Sequence, residues 1–314
     1  MNDSNHDTKS LPLVSIVTVN YNQAAVTCEM LESLSRITYP NIEVLVVDNG
    51  SSVDDPIMIK EKFPQVTLIE NHENLGFAGA NNIGIERSSG PYILLLNNDT
   101  EVTEGFLEPL VDKMKSDPLI GAVSPKIRYY YASDTIQYAG LTPINSYTVR
   151  SRAIGFSETD KGQHDTDTLT AYAHGAAMMI SREIVRKIGL MSTAFFLYYE
   201  ELDWGFRLRK AGYKIYYVHN SLVYHKESVS IGKQSPLKTY YLNRSRWLYM
   251  RRNVYGFRYL ISILFQVFLS VPKNALVYLL QGRIDLFKAY ISAAWWHLKN
   301  MLNESLYEHP CLNE

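Results

Sequence analysis

The sequence predicts an α/β fold in which a mostly parallel central sheet is flanked by helices and followed by a helical C-terminal extension. Three observations support this class. Short, β-branched apolar runs alternate with segments of helical periodicity in the first third of the chain, which is typical of βαβ units. Polar residues stand where several of these runs end. Beyond residue 237 the chain becomes rich in arginine, aromatic residues and long apolar stretches.

The N-terminal elements follow one another in a regular order. Ligands of parallel sheets bind at the carboxyl ends of the strands. Polar groups lie at three of these predicted ends: Asn20-Tyr21-Asn22, Asp48 and Asn97-Asn98-Asp99. The predicted strands are Leu13–Val19, Asn41–Asp48, Val66–Glu70 and Pro91–Asp99, with helices in AAVTCEMLESL, around Ile57–Phe63 and in GANNIGIERS.

The middle of the chain is less regular. Residues from Lys126 to Ala173 are rich in Tyr, Ser, Thr and Asp, so we expect irregular or antiparallel structure there. GAAMMISREIVRKIGL predicts a strand that leads into a helix, and EELDWGFRLRKAGY predicts a helix that Gly212 ends. Two short strands are then expected, YKIYYV and a second one that closes at His225.

The C-terminal tail combines arginines with apolar helical runs. In LISILFQVFLSV the polar residues Ser262, Gln266 and Ser270 recur every four positions and form one narrow stripe on a helix. Pro272 is expected to interrupt this run before it reaches the ~20 residues that a spanning helix needs. Nearby arginines and a tryptophan pair favour a helix in the membrane interface. A hairpin packed on the rest of the protein and a true membrane span are the alternatives.

Composition excludes several classes of protein. The 314 residues contain 31 Lys and Arg and 32 Asp and Glu, which gives a net charge of −1 and argues against a nucleic-acid partner. The two cysteines, Cys28 and Cys311, allow neither a disulfide framework nor a cysteine-based zinc site, so a reducing compartment is expected. Residues 1–11 are polar and predict a disordered start rather than a signal peptide.

Several acidic residues and histidines have both a structural and a chemical interpretation. Asp99 either ends a strand in a turn or faces a divalent cation bound to phosphate. Asp48 either caps a turn or accepts hydrogen bonds from a base or ribose. Glu200 and Glu201 start a helix, where acidic residues compensate the dipole, or one of them is a general base. His225 ends a strand and is either a structural group or a contact to metal or diphosphate.

The glycines of NLGFAGANNIG belong to neither of two common nucleotide-binding motifs. Ile85-Glu86 stands where a phosphate-binding P-loop needs Lys followed by Ser or Thr, and the spacing is not GxGxxG. We expect these glycines to allow a tight loop that approaches a ligand closely.

Six segments in this order resemble the family 2 glycosyltransferases, specifically the rhamnosyltransferase-like enzymes of bacterial surface polysaccharide assembly. They are SIVTVNYN, EVLVVDNGS, HENLGFAGANNIG, YILLLNNDT, GAAMMISRE and EELDWGFRLRKAGY. The resemblance covers about residues 13–255 and implies the GT-A fold, a Rossmann-like arrangement. It implies a catalytic domain over 12–236, with a nucleotide-binding half at about 12–125 and an acceptor half at about 126–236. Residues 237–314 would form the helical extension.

The resemblance also implies roles for individual residues. Glu201 would be the catalytic base, with Glu200 as the alternative, while Asp99 and His225 would bind Mg²⁺ or Mn²⁺. Asn97 stands where the family's Asp-any-Asp pattern begins with Asp. The residues implied to bind the nucleotide sugar are Asn20, Tyr21, Asp48, Asn74, Gly76, Asn81, Asn97 and Asn98.

The implied activity is inverting transfer of a sugar from a nucleoside-diphosphate donor, dTDP-rhamnose or a UDP-hexose, to a hydroxyl of a glycan or polyprenyl-linked saccharide. The enzyme would be cytoplasmic and peripheral on the inner face of the cell membrane. Two other classes stay open from the residues: a sugar-phosphate nucleotidyltransferase and a non-catalytic nucleotide-sugar-binding protein. The first is disfavoured because no basic residue stands in Asn20-Tyr21-Asn22-Gln23, directly after the first strand.

Overall fold

The computed structural model describes residues 11–227 and 235–306. The predicted disordered start therefore lies, apart from Leu11, outside the described residues. The first half of the chain forms the predicted alternation of strands and helices, with bounds that differ by a few residues. Its elements are β1 (Val14–Asn20), α1 (Ala24–Leu34), β2 (Ile42–Asp48), α2 (Ile57–Lys62), β3 (Thr67–Glu70), α3 (Gly76–Arg87) and β4 (Tyr92–Leu96).

The second half contains more strands than the sequence indicated. The segment expected to hold two short strands is one strand, β10, whose register against its neighbour shifts between Val218 and Leu222. The shift bends the strand, which is why the sequence pattern breaks there. The elements are β5 (Thr100–Val102), α4 (Leu107–Ser116), β6 (Ile120–Tyr129), β7 (Ala132–Tyr138), β8 (Thr168–Leu169), β9 (Ala177–Ser181), α5 (Arg182–Ile188), α6 (Glu200–Lys210) and β10 (Lys214–His225).

One sheet runs through the described part of the molecule in the order β3-β2-β1-β4-β9-β6-β10-β5. The first four strands are parallel, as predicted. Beyond β4 the sheet is mixed, since β9 is antiparallel to both of its neighbours and β10 is parallel to β6. The sheet as a whole is therefore mixed, and the carboxyl ends of β1, β2 and β4 lie side by side.

The sheet is covered on both faces by apolar side chains. On β1, Ile16 belongs to the cluster that includes residues of α1 and α4, whereas Val17 belongs to the cluster that includes residues of α3, α5 and α6. Successive residues of a strand point to opposite faces. A central strand buried on both faces needs mostly apolar residues on both faces, which explains the unbroken apolar run of β4 and the predominantly apolar run of β1.

The C-terminal region is helical. α8 continues through a π-helical turn, Gln266–Ser270, into α9, so the expected interruption at Pro272 is wrong. Proline lacks an amide donor, and here it stands in the first turn after the hydrogen-bonding pattern changes. The elements are α7 (Pro236–Asn253), α8 (Gly256–Phe265), α9 (Val271–Leu280), α10 (Ile284–Lys299) and a 3₁₀ turn, Glu304–Leu306.

A buried ion-pair network joins α7 to the sheet-bearing half. Asp203 of α6 has no exposed surface, and its carboxylate accepts hydrogen bonds from Arg207 at 3.3 Å and from Arg252 at 3.2 Å. The Asn253 amide donates to the same carboxylate at 2.9 Å. This shared carboxylate joins α6 to the end of α7.

Replacing Asp203 with Ala is expected to lower the free energy of unfolding by about 3–5 kcal/mol, because two buried guanidinium groups lose their common carboxylate. Chemical denaturation monitored by circular dichroism measures this change. Asp285→Ala is the matched control, since Asp285 pairs with Arg283 at the surface and its loss should leave the unfolding midpoint close to wild type. Equal midpoints for both variants would contradict the structural role of Asp203.

Candidate active site

Asn20 and Asp48 meet at the ends of β1 and β2. The Asn20 amide donates to Asp48 Oδ1 at 2.7 Å, and Ser51 donates to the same carboxylate through its hydroxyl at 2.6 Å and its backbone N–H at 3.0 Å. Both predicted residues are buried, while the neighbouring Tyr21 is 39% exposed. The arrangement fixes one carboxylate at the edge of the sheet and leaves an aromatic ring beside it.

The loop before α3 is held by side-chain amides. Asn74 Oδ1 accepts hydrogen bonds from Asn49 Nδ2 and from the Gly76 backbone N–H, both at 2.9 Å. Gly76 has φ +70°, and a Cβ there would lie 2.2 Å from the Phe196 carbonyl oxygen. Only glycine fits this close approach. The amide of Asn81 donates to the Phe77 carbonyl oxygen within α3.

Asn97, Asn98 and Asp99 form the turn that follows β4. The Asn98 amide donates to Thr27 Oγ1 at 3.0 Å, and the Thr27 hydroxyl donates to Asn20 Oδ1 at 2.7 Å. A single hydrogen-bonded chain therefore connects the turn after β4 to Asn20 and Asp48. The predicted nucleotide-sugar residues at these three strand ends form one continuous polar edge.

Asp99 and His225 are paired. His225 Nε2 lies 3.1 Å from Asp99 Oδ1, and His225 Nδ1 lies 2.8 Å from Gln137 Oε1. Burial acts to raise the pKa of Asp99, but the hydrogen bond and charge of His225 outweigh it and hold this pKa below its usual value. The Asp99 carboxylate is thus kept ionised although the residue is buried.

A second histidine supports this pair. The ring of His174 lies 6.1 Å from the ring of His225, edge to face, and 5.3 Å from that of Tyr138. Burial, followed by the charge of His225, lowers the pKa of His174 to about 3. His174 is therefore neutral near pH 7, and its Nδ1 accepts a hydrogen bond from the Ala176 backbone N–H. It packs against His225 without adding charge.

Glu200 and Glu201 begin α6 after two residues in the left-handed region, Tyr198 at φ +67° and Tyr199 at φ +73°. Non-glycine residues adopt this conformation at a cost of about 1–2 kcal/mol each. The Tyr199 hydroxyl holds the turn by donating to the Val149 carbonyl oxygen at 3.1 Å and accepting from Arg246 at 3.0 Å. The strained turn sets the direction in which the helix presents its first carboxylates.

The two glutamates differ in their environments. Burial, together with the charge of Glu201, raises the pKa of Glu200 well above its usual value. Its Oε2 is buried and has no hydrogen-bond partner among the residues that the structure describes. Burial raises the pKa of Glu201 to about 7, and backbone N–H groups at the helix start oppose this rise. Glu200 therefore stays protonated while Glu201 ionises near neutral pH.

Backbone contacts connect Glu201 to the turn after β4. A Cβ on Gly175 would lie 3.7 Å from Glu201 Cδ, so this carboxyl group packs directly over Gly175. The next residue, Ala176, accepts a hydrogen bond from the Asn97 backbone N–H at 2.9 Å. On the other side of Gly175 lies His174, the neighbour of His225. The predicted base, the Asp99–His225 pair and the Asn97–Asp99 turn therefore surround the short segment 174–176.

The Asp99–His225 pair fits a divalent cation by the chemistry of its donors. A carboxylate oxygen and an imidazole nitrogen are both ligands of Mn²⁺, and a carboxylate suits Mg²⁺. Gln137 Oε1 accepts the hydrogen bond from His225 Nδ1–H, so Nε2 is the ring nitrogen that faces Asp99 and would be the metal ligand. Within residues 11–227 and 235–306, no three His, Cys, Asp or Glu side chains cluster to hold a metal. Phosphate oxygens or water would have to complete its coordination.

Sequence reasoning missed Thr27, Gln137 and the role of His174 in this site. Thr27 lies on a predicted helix, and nothing in its spacing distinguishes it from a core residue. Gln137 lies in β7, an antiparallel strand of the region that we expected to be irregular or antiparallel, and nothing in the sequence there pointed to a contact with His225. His174 precedes GAAMM, and a lone histidine is more often a hydrogen-bonded structural group than a ligand.

The sequence model described as glycosyl transferase family 2 matches residues 15–189. This range spans more than half of the chain and includes the polar edge, Asp99 and His174. The chain belongs to glycosyl transferase family 2. Family membership places the protein among the glycosyltransferases, as predicted, rather than among the nucleotidyltransferases or non-catalytic binding proteins.

Curated relatives of known name are similar over much of the chain. N-acetylglucosaminyl-diphospho-decaprenol L-rhamnosyltransferase of Mycobacterium tuberculosis is 25% identical over 247 residues, which is 70% of this chain and 78% of the relative. The low-salt glycan biosynthesis hexosyltransferase Agl10 of Haloferax volcanii is 27% identical over 211 residues, 64% of this chain and 63% of the relative. The first relative is named for rhamnosyl transfer and the second for glycan biosynthesis.

Solved structures confirm the predicted GT-A fold. GalNAc-T7, crystallised with UDP, GalNAc and Mn²⁺, matches 96% of this chain and 59% of its own with a TM-score of 0.65 and 16% identity. The mannosyltransferase PcManGT of Pyrobaculum calidifontis, in complex with GDP-Man and Mn²⁺, matches 93% of this chain and 76% of its own with a TM-score of 0.55 and 18% identity. At these identities the likeness shows the fold alone.

Proposed function

We propose that this glycosyltransferase moves a sugar from a nucleoside-diphosphate donor to a hydroxyl group of a glycan or polyprenyl-linked saccharide, with inversion at the anomeric carbon. The observation that carries the proposal is the packing of the Glu201 carboxyl group over Gly175, beside the segment that contacts both the Asn97–Asp99 turn and His225. This arrangement supports a base and a diphosphate-binding pair that act on one donor.

In the proposed reaction Glu201 removes the proton from an acceptor hydroxyl. The acceptor oxygen forms a bond to the anomeric carbon on the face opposite the diphosphate. The bond between that carbon and the diphosphate oxygen breaks, and the nucleoside diphosphate leaves with the electron pair. One displacement from the opposite face inverts the anomeric configuration, and the proton ends on Glu201.

The donor would lie along the polar edge. We assign the base and ribose to Asn20, Tyr21 and Asp48. Asn74 of the loop, together with Gly76 and Asn81 of α3, would lie beside the nucleotide sugar. Asn97 and Asn98 would contact the donor at the end of β4. These residues fall within 12–125, the half that we propose binds the nucleotide, and the acceptor would bind to the half at 126–236.

Asp99 and His225 would hold Mg²⁺ or Mn²⁺ beside the donor diphosphate. When bound, such an ion would neutralise the charge of the departing diphosphate. The ionised state of Asp99 and the orientation that Gln137 gives to His225 support this assignment. Both solved neighbours of the fold were crystallised with Mn²⁺.

The donor sugar and acceptor follow from the relatives as part of the proposal. The Mycobacterium tuberculosis relative is named for rhamnosyl transfer to a decaprenol-linked sugar, and the Haloferax volcanii relative is named a hexosyltransferase. We therefore propose dTDP-rhamnose or a UDP-hexose as donor. A polyprenyl-linked acceptor would place the enzyme on the cytoplasmic face of the cell membrane, as a peripheral protein.

Release of UDP or dTDP from a panel of nucleotide sugars tests the activity. Purified protein with Mn²⁺ is expected to release one of the two nucleotides, and dialysis against EDTA is expected to lower this release at least ~10-fold, with recovery when Mn²⁺ is added back. Protein dialysed without EDTA is the control. Release that is unaffected by chelation would remove the cation from the mechanism, and an inverted anomeric signal in the NMR spectrum of the product would support the stereochemistry.

A further inference from the structure

The continuous helix formed by α8, the π-helical turn and α9 exposes a stripe of large apolar side chains. Phe257, Leu260, Leu264 and Phe268 recur at positions i, i+3, i+7 and i+11, so they lie on one side of the helix. Their exposed fractions are 74%, 52%, 45% and 68%. A surface helix of a water-soluble protein would turn such a stripe towards the core.

The opposite side of the same helix is polar and buried. Ser262, Gln266 and Ser270 have exposed fractions of 0%, 1% and 4%. Gln266 donates to the Thr148 carbonyl oxygen at 3.1 Å, and the Ser262 hydroxyl lies 2.9 Å from Met250 Sδ of α7. The helix thus has its polar stripe against the protein and its apolar stripe outside, which is the reverse of the usual arrangement.

The neighbouring helix adds to the apolar surface. α10 packs on α9 through Tyr290, whose ring lies 5.8 Å from that of Tyr278, and the Tyr290 hydroxyl donates to the carbonyl oxygen of Ser270 in the π-helical turn at 3.2 Å. On α10 the side chains of Ile284, Ile291, Trp295 and Leu298 are exposed at a spacing that again lies along one side of a helix. An indole among exposed aliphatic side chains is typical of the interface between lipid and water.

The segment that contains α8, α9 and α10 is more basic than the chain as a whole. Residues 256–299 contain five Lys or Arg and one acidic residue, whereas the whole chain has a net charge of −1. Arg258, Lys273, Lys288 and Lys299 are exposed. Cations beside an exposed apolar surface are complementary to an anionic lipid leaflet and not to a second copy of the same basic surface.

We infer that α8, α9 and α10 lie in the plane of an anionic membrane, with Phe257, Leu260, Leu264 and Phe268 in the outer part of one leaflet. Residues 256–280 are by length and composition sufficient to span a bilayer. However, Ser262 and Gln266 attach the middle of this helix to α7 and to Thr148, so only its outer side is available to lipid. These four residues form a surface that we name the lipid face.

Flotation with preformed vesicles tests the lipid face in the full-length protein. Wild type added from solution is expected to float with vesicles of phosphatidylcholine and phosphatidylglycerol and to bind vesicles of phosphatidylcholine alone at least ~10-fold more weakly. The variant Leu260→Ser, Leu264→Ser, Phe268→Ser is expected to lose at least ~10-fold in partitioning, because it removes three inserted apolar side chains. Val53→Ser, Phe156→Ser, Leu169→Ser is the matched control, since these residues are exposed away from α8–α10, and it should float like wild type.

Two results would overturn the inference. One is equal flotation of the lipid-face variant and wild type. The other is a dimer in sedimentation analysis without lipid that the lipid-face variant abolishes, since a second copy would then cover this surface. Nucleotide release in solution should be the same in wild type and in the lipid-face variant, so failure of the lipid face is distinguishable from failure of the proposed sugar transfer.

Discussion

Replacing Glu201 with Gln is expected to lower the rate of sugar transfer at least ~100-fold while the protein still folds. Glutamine keeps the shape of the side chain over Gly175 but cannot take a proton from an acceptor hydroxyl. Steady-state transfer to a saccharide acceptor measures the loss, and circular dichroism checks the fold. Turnover near that of wild type would contradict the assignment of the base.

Glu201→Gln is also expected to differ from wild type in the pH dependence of kcat/KM. Because burial raises the pKa of Glu201 to about 7, the carboxyl group is protonated and inactive as a base below this pH and ionised above it. In wild type kcat/KM is therefore expected to rise with pH through about 7. In Glu201→Gln this rise should be absent from the residual activity.

Glu200→Gln is the matched control for Glu201. Glu200 stays protonated because burial and the charge of Glu201 raise its pKa, and a glutamine is close in shape to a protonated glutamate. We expect this variant to lose less than ~10-fold in transfer rate, well below the loss from removing a general base. If instead Glu200→Gln loses activity and Glu201→Gln keeps it, the roles of the two residues are reversed.

Asp99→Ala is expected to lower the transfer rate at least ~100-fold for a different reason. The change removes the carboxylate that would face the donor diphosphate through a cation, so stabilisation of the departing charge is lost. It also leaves His225 Nε2 without the partner that lies 3.1 Å away. Titration of Mn²⁺ in the transfer assay measures whether the residual activity still depends on the ion.

Asp112→Ala is the matched control for Asp99→Ala, because it also removes one carboxylate. Asp112 is an exposed residue of α4, and its replacement should leave transfer close to wild type. Full activity of Asp99→Ala with an unchanged response to Mn²⁺ would contradict the role of Asp99.

The sequence predicts the first half of the fold well because each element there is decided locally. Central strands buried on both faces require predominantly apolar runs, as in β1 and β4, and the connecting helices carry their own periodicity. The role of Gly76 is also predictable from the sequence. The resemblance to a known family placed it in a loop, and the structure requires φ +70° at that position.

The second half of the fold and the assembly of the site depend on contacts between segments that are distant in the sequence. No local pattern encodes these contacts. The pairing of β9 between β4 and β6 makes the sheet mixed and brings Gly175 beside Glu201. Pro272 appears from sequence to end a helix, yet the π-helical turn before it lets the helix continue. Gln137 contacts His225 from β7, in a region where the sequence indicated irregular or antiparallel structure without specifying any contact.

We expect one side of the cleft to bind the donor and the other side to remove the proton. Calorimetric titration of a nucleoside diphosphate in the presence of Mn²⁺ tests this division most directly. The probe is whichever of UDP and dTDP binds wild type. Asp99→Ala is expected to weaken its binding at least ~10-fold, whereas Glu201→Gln should bind it within ~2-fold of wild type and still fail in transfer. Unchanged binding by Asp99→Ala, or a Glu201→Gln variant that loses nucleotide binding and transfer together, would contradict this division.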